Sequence, residues 1–106
     1  MRLILDQARF DTLQAAFTAE LVERIRIKLI EAGICADQLE DLTASIALSI
    51  TGVIDDLAPI PSTTLEVHPY LTFRLGEDEL IHCGENAYTY DQVYGVMQRL
   101  FRKVKG

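Results

Sequence analysis

Residues 65–83 read LEVHPYLTFRLGEDELIHC, and their periodicity decides the fold class. Leu65, Val67, Leu71, Phe73 and Leu75 fall on one side of an alternating pattern, and Glu66, His68, Tyr70, Thr72 and Arg74 on the other. Alternation marks a half-buried strand, because successive side chains leave opposite faces of a sheet. Pro69 has no N–H to give a ladder, so the strand is expected at a sheet edge or with a bulge. Gly76 to Glu79 reads as a turn and Leu80 to Cys83 as a second, short strand. Gly76-Glu77 suits a type II′ turn, which sets Arg74 opposite Glu79; a longer loop instead turns Ile81 and Cys83 toward the core. One residue of slip exchanges the faces of His82 and Cys83.

Outside this stretch the apolar period is helical. Leu13, Phe17, Leu21, Ile25 and Leu29 recur every four residues, with Phe10, Ala16 and Val22 beside them. Asp11-x-x-Gln14 has the form of a capping box with Phe10 as its staple, and Asp6 offers an earlier start. Gly33 is the expected stop. Ile27, Ile30 and Ile34 broaden the apolar side, as in a helix packed against more than one neighbour. A second helix is expected from Asp37-x-x-Glu40, with Leu39, Leu42, Ile46, Ile50, Val53, Ile54 and Leu57 as its stripe. Gly52 interrupts it, either as an early cap or as a point of close packing, and Pro59 and Pro61 end it. A third helix is expected from Thr89-x-x-Gln92, with Val93, Val96, Met97, Leu100, Phe101 and Val104. Arg99, Arg102, Lys103 and Lys105 crowd its end, where the helix dipole favours cations.

The expected fold is therefore α+β: an antiparallel helix hairpin, a two-stranded antiparallel β-hairpin and a C-terminal helix, in the order α-α-β-β-α. A chain of 106 residues suits a single domain, with a helical hairpin over 1–58 and the β-hairpin plus last helix over 62–106. The only linker candidate, Ala58 to Thr64, is too short to separate two domains. No apolar run approaches the ~20 residues that span a bilayer, and Met1 to Leu5 is too short for a signal-peptide core. A soluble, cytoplasmic protein without membrane association is the default expectation, and Cys35 and Cys83 are then free thiols.

The net charge of −6 argues against general nucleic-acid binding. Its distribution says more. Residues 31–91 carry twelve acids and one base, Arg74, whereas residues 92–106 carry four bases and no acid. All four tyrosines lie within residues 70–94. An acidic surface with exposed tyrosines suits a basic protein partner, since tyrosine is enriched at interfaces and charge complementarity steers association. The residues expected to form it are Asp55, Asp56, Tyr70, Glu77, Asp78, Glu79, Glu85, Tyr88, Tyr90 and Tyr94. Asp55 and Asp56 stand at the unfavourable end of a helix for acids, unless Gly52 ends it early or a base such as Arg99 or Arg102 pairs with them.

Other chemistries have less to stand on. His68, His82, Cys83 and Cys35 lack metal-ligand spacing, and adjacent His82 and Cys83 leave opposite faces of a strand, so neither a metal nor a cofactor is expected. A nucleophilic Cys83 would have Glu79 and Glu85 nearby, which disfavour a thiolate. Glu77-Asp78-Glu79 is too short for a calcium loop, and no Walker, G-x-G-x-x-G, G-x-S-x-G or H-E-x-x-H motif occurs. A non-enzymatic interaction, inhibitor or adaptor module is the first reading. A self-associating structural protein is the second, and a small enzyme or ligand binder using Cys83, His82 or His68 the third.

Overall fold

Residues 2–5 form a strand. Arg2–Leu5 is β1, followed by α1 (Gln7–Glu31), α2 (Ala36–Ile54), β2 (Phe73–Leu75), β3 (Glu79–His82) and α3 (Thr89–Leu100). The order is β-α-α-β-β-α in this computed structural model, which describes residues 1–61 and 64–102. The α+β class holds. The two-stranded hairpin is corrected to a three-stranded mixed sheet of order β1-β3-β2, with β1 parallel and β2 antiparallel to β3. Val104, Lys103 and Lys105, expected on the last helix, lie outside the described residues. Among the described residues no helix is long and apolar enough to cross a membrane.

The alternating stretch yields less strand than its pattern implies. Only Phe73–Leu75 pairs with β3, and 64–72 forms none. The pairing is Phe73 with Ile81, Arg74 with Leu80 and Leu75 with Glu79. The type II′ register that sets Arg74 opposite Glu79 is therefore replaced by the longer loop, with Gly76 at φ +64° and with Ile81 and Cys83 buried.

Helix starts follow tertiary contacts more than local capping boxes. α1 begins at Gln7, and its cap is Asp6, whose Oδ1 accepts the Arg9 N–H at 3.0 Å. Asp6 also donates its own N–H to the His82 carbonyl at 3.1 Å, so the β1–β3 ladder runs directly into the cap. At α2 the cap position is Cys35, and at α3 it is Tyr88; neither makes a side-chain cap bond, so the boxes expected at Asp11, Asp37 and Thr89 do not form. The stop at Gly33 does form. Gly33 takes φ +82°, and its N–H and that of Ile34 bond back to Ile30 and Leu29. This is the two-bond Schellman closure, for which glycine is suited because it has no Cβ. The same closure ends α2 with an aspartate in the glycine place. Asp56 stands at φ +64°, and the N–H groups of Asp56 and Leu57 bond Val53 and Gly52. Gly52 lies inside the helix rather than ending it.

Two buried clusters share α1. Phe10, Ile81, Cys83 and Ala87 pack where its first turns meet the sheet, with Phe73 5.4 Å from Phe10 between ring centroids. Val22, Ala47, Val93, Val96 and Met97 fill the space between the three helices. α1 spans about 37 Å at 1.5 Å per residue and carries both clusters. The molecule is accordingly drawn out: its radius of gyration is 15.9 Å, against about 13 Å for a compact chain of this length.

The most buried lines of the helices are not their most apolar ones. On α1 they are Phe10, Gln14, Thr18 and Val22, with Leu13, Phe17, Leu21, Ile25 and Leu29 half-buried beside them. On α2 they are Thr43, Ala47, Thr51 and Gly52, while Ile50 and Val53 remain exposed. Short side chains let helix backbones approach, and larger neighbours close over the flanks. The buried hydroxyls are satisfied: Thr43 and Thr51 donate to the carbonyls of Leu39 and Ala47 one turn earlier.

Candidate functional site

The position of α3 is set by side chains from the other two helices. Its first N–H groups lack partners within the helix, as at any helix start. Asp55, 3% exposed at the end of α2, accepts the Tyr90 N–H at 2.7 Å and the Thr89 hydroxyl at 2.6 Å. Gln14 of α1 accepts the Tyr88 N–H at 2.7 Å through Oε1, and its Nε2 is the one buried side-chain polar atom without a partner among the described residues. The Thr18 hydroxyl donates to Gln92 Oε1 at 2.8 Å, and the Tyr88 hydroxyl bonds Asp11. The helix end at Asp55 is therefore not compensated by Arg99 or Arg102. Its carboxylate instead serves the positive end of a neighbouring helix, a favourable dipole arrangement.

With α3 so anchored, its outer face aligns Tyr90 and Tyr94 one turn apart, and Tyr94 is 63% exposed. Between α2 and α3 runs a recess of about 260 Å³ lined by Glu40, Asp41, Ala44, Tyr94, Met97 and Gln98. Glu40 and Asp41 are exposed, and neither has an ion pair among the described residues. Asp37, also exposed, sits in the first turn of α2, where the helix dipole favours a carboxylate. Glu40 and Asp41 lie beyond that turn, where the benefit fades. On α1, by contrast, Glu20, Glu23 and Glu31 are matched by Arg24, Arg26 and Lys28. The Arg26 hydrogen bond holds the Glu23 carboxyl below its usual range and the guanidinium above its own.

The ten candidate residues do not converge. Glu77 and Asp78 lie in the β2–β3 turn and Glu79 opens β3; Asp78 pairs with the Met1 amino group and Arg2, and Glu79 with Arg2. Glu85 is exposed in the loop before α3. Asp55 and Tyr88 are engaged in anchoring α3. Asp56 bonds His68 Nδ1 at 2.8 Å, with Glu66 3.3 Å from Nε2. That Asp56 bond raises the affinity of the exposed imidazole for its proton, with its charge and Glu66 adding to it. Tyr70 lies apart, its hydroxyl 2.6 Å from His82 Nδ1. The Gly84 N–H also donates to that nitrogen at 3.2 Å, which makes it an acceptor and places the ring proton on Nε2. Only Tyr90 and Tyr94 present side chains together on the α3 face.

The Cys83 thiol is buried and donates to the Glu85 carbonyl at 3.1 Å, while Cys35 is exposed at the start of α2. Cys83, His82 and His68 are thus each held by different partners. Among the described residues no group of three or more His, Cys, Asp or Glu side chains is placed to hold a metal ion.

Glu40 and Asp41 belong to the acidic middle of the sequence but are not among the ten candidates. Their alignment with Tyr94 comes from the packing of α2 on α3, for which the sequence carries no local signal. No protein-family model, curated protein or solved structure matches this chain.

Proposed function

We propose that this protein is a non-enzymatic interaction module that takes a basic segment of a partner protein in the groove between α2 and α3. One observation carries the reading: an exposed aromatic ring, Tyr94, stands beside two carboxylates, Glu40 and Asp41, that have no cation of their own among the described residues. A ring of this kind supplies contact area with few rotatable bonds, and a Lys or Arg side chain can lie over its face. Exposed ion pairs add at most about 1 kcal/mol each, so the carboxylates serve orientation and encounter more than affinity. The recess beside Met97 gives the aliphatic stem of such a side chain an apolar wall.

The test is a titration of the isotope-labelled protein with a short Lys/Arg-rich peptide, followed by amide shifts at low and high salt. Shifts confined to residues around Glu40, Asp41 and Tyr94, weakened by salt and abolished by Glu40→Lys with Asp41→Lys, support the groove. Shifts spread over every acidic segment, or shifts that survive the double reversal, reject it.

A further inference from the structure

The N-terminal strand leaves one edge of the sheet open. β1 is the terminal strand of the order β1-β3-β2, and no other described strand pairs with its outer side. The Arg2 N–H bonds the Asp78 carbonyl and the Asp6 N–H the His82 carbonyl. Backbone groups alternate along a strand, so Arg2, Ile4 and Asp6 face β3, and Leu3 and Leu5 turn their N–H and C=O groups outward. Their side chains are 57% and 64% exposed. Sheet edges are ordinarily blunted by shortness, charged side chains, proline, a bulge or a covering element, because free edges recruit other strands. β1 is short, but the stretch Arg2-Leu3-Ile4-Leu5-Asp6 holds no proline or lysine, and its two charges stand at its ends with opposite signs.

We infer that β1 is a self-pairing edge: two copies of this chain join β1 to β1 antiparallel, about a two-fold axis through Ile4, into one six-stranded sheet. The register follows from the outward groups. Only Leu3 and Leu5 can exchange hydrogen bonds across the new seam, which leaves Leu3 opposite Leu3, Leu5 opposite Leu5, or Leu3 opposite Leu5 of the second copy. The first sets Arg2 against Ile4, and the second sets Asp6 against Ile4. The third sets Ile4 against Ile4 and Arg2 against Asp6 of the second copy, twice by symmetry, each in addition to its partners within the chain: Asp78 and Glu79 for Arg2, Arg9 for Asp6. Opposite charges directly across a strand pair stabilise it, and a charge facing an isoleucine does not. The strand is therefore complementary to itself in one register, as an isologous contact requires. Five residues a side is a small seam beside the roughly 1,200 Å² of an ordinary stable interface, so the dimer is weak and concentration-dependent.

Sedimentation over a wide concentration range, paired with amide hydrogen exchange on the whole chain, tests this. The expected result is a mass rising toward twice 11.9 kDa, with the Leu3 and Leu5 amides becoming protected as the dimer forms. The Arg2, Ile4 and Asp6 amides should be protected at every concentration. Leu3→Pro removes an outward N–H that the β3 ladder does not use, and should weaken dimerisation by about tenfold or more. Arg2→Glu sets like charges across the seam and should weaken it several-fold; because Arg2 also pairs with Asp78 and Glu79 within each copy, unchanged protection of the Ile4 amide is the control that β1 still holds β3. A chain that stays monomeric throughout overturns the proposal. So does a dimer that forms without protecting Leu3 and Leu5, or one that Arg2→Glu leaves unchanged. Should Leu3→Pro fail to fold, the wild-type exchange pattern and Arg2→Glu still decide.

Discussion

The Asp55 carboxylate accepts the backbone N–H of Tyr90 at 2.7 Å, so the residue that closes α2 caps α3 across 35 positions of sequence. The same carboxylate takes the Thr89 hydroxyl at 2.6 Å. One side chain thus joins two helix ends and fixes how α3 lies on α2.

Asp55→Ala should cost about 1–3 kcal/mol, since it leaves the N–H and hydroxyl of a buried helix start without an acceptor. Asp55→Asn keeps an acceptor oxygen and should cost less. Urea unfolding of the two variants gives the comparison, and equal stability of Asp55→Ala and wild type would refute the capping role.

Glycines 52 and 33 should respond oppositely to alanine. A Cβ at Gly52 would meet no atom within 4 Å beyond its chain neighbours and the adjacent backbone of its own helix, and Gly52 sits in the interior of α2. Gly52→Ala should therefore stabilise by about 0.5–1 kcal/mol. Gly33 at φ +82° closes α1 in the left-handed region, and Gly33→Ala should destabilise by about 1 kcal/mol or more. Thermal melts of both variants read the two signs.

His68 should titrate above the ordinary histidine value of about 6.5. Its bond to Asp56 strengthens on protonation. The contribution to stability is thus complete below the unfolded value and disappears as pH rises through the elevated folded one. Proton NMR of the imidazole measures the midpoint directly. Asp56→Asn should bring it down, and an unchanged midpoint would mean that Asp56 does not hold the ring in solution.

Phe10→Ala should cost about 3–5 kcal/mol, because Phe10 is fully buried between α1 and the sheet. The loss should register first as reduced amide protection at Ile4 and Ile81, with the Val22 and Val93 cluster less affected. Uniform loss across both clusters would show that the two fold as one unit.

The three helices were legible because their evidence is local. Leu13 to Leu29, Leu39 to Leu57 and Val93 to Phe101 repeat at the helical period, and Gly33 marks its turn through its own backbone freedom. Even so, the repeat located the apolar flanks and not the contact line. Thr18, Thr43 and Thr51 were hidden from any hydrophobic count because their hydroxyls are satisfied only once the chain folds, Thr18 by Gln92 of α3 and Thr43 and Thr51 by carbonyls of their own helix.

The candidate surface was legible only as composition. The sequence identified an acidic middle and a run of tyrosines, but Glu77 to Glu79 went to the Arg2 end of the sheet and Asp55 into the interior. Thr89 and Gln92, which resemble a capping box, spend their polar groups on Asp55 and Thr18 instead.

By itself, then, the sequence determined the α+β class, the helices and the concentration of acid between residues 31 and 91. Those follow from periodicity and composition, which neighbouring residues share. Tertiary structure alone decided that Arg2–Leu5 is a strand, that Asp55 caps α3 and that Tyr94 meets Glu40 and Asp41. Each depends on residues far apart in sequence, and pairing between such residues is set by which faces meet when the core closes, a property no local pattern carries.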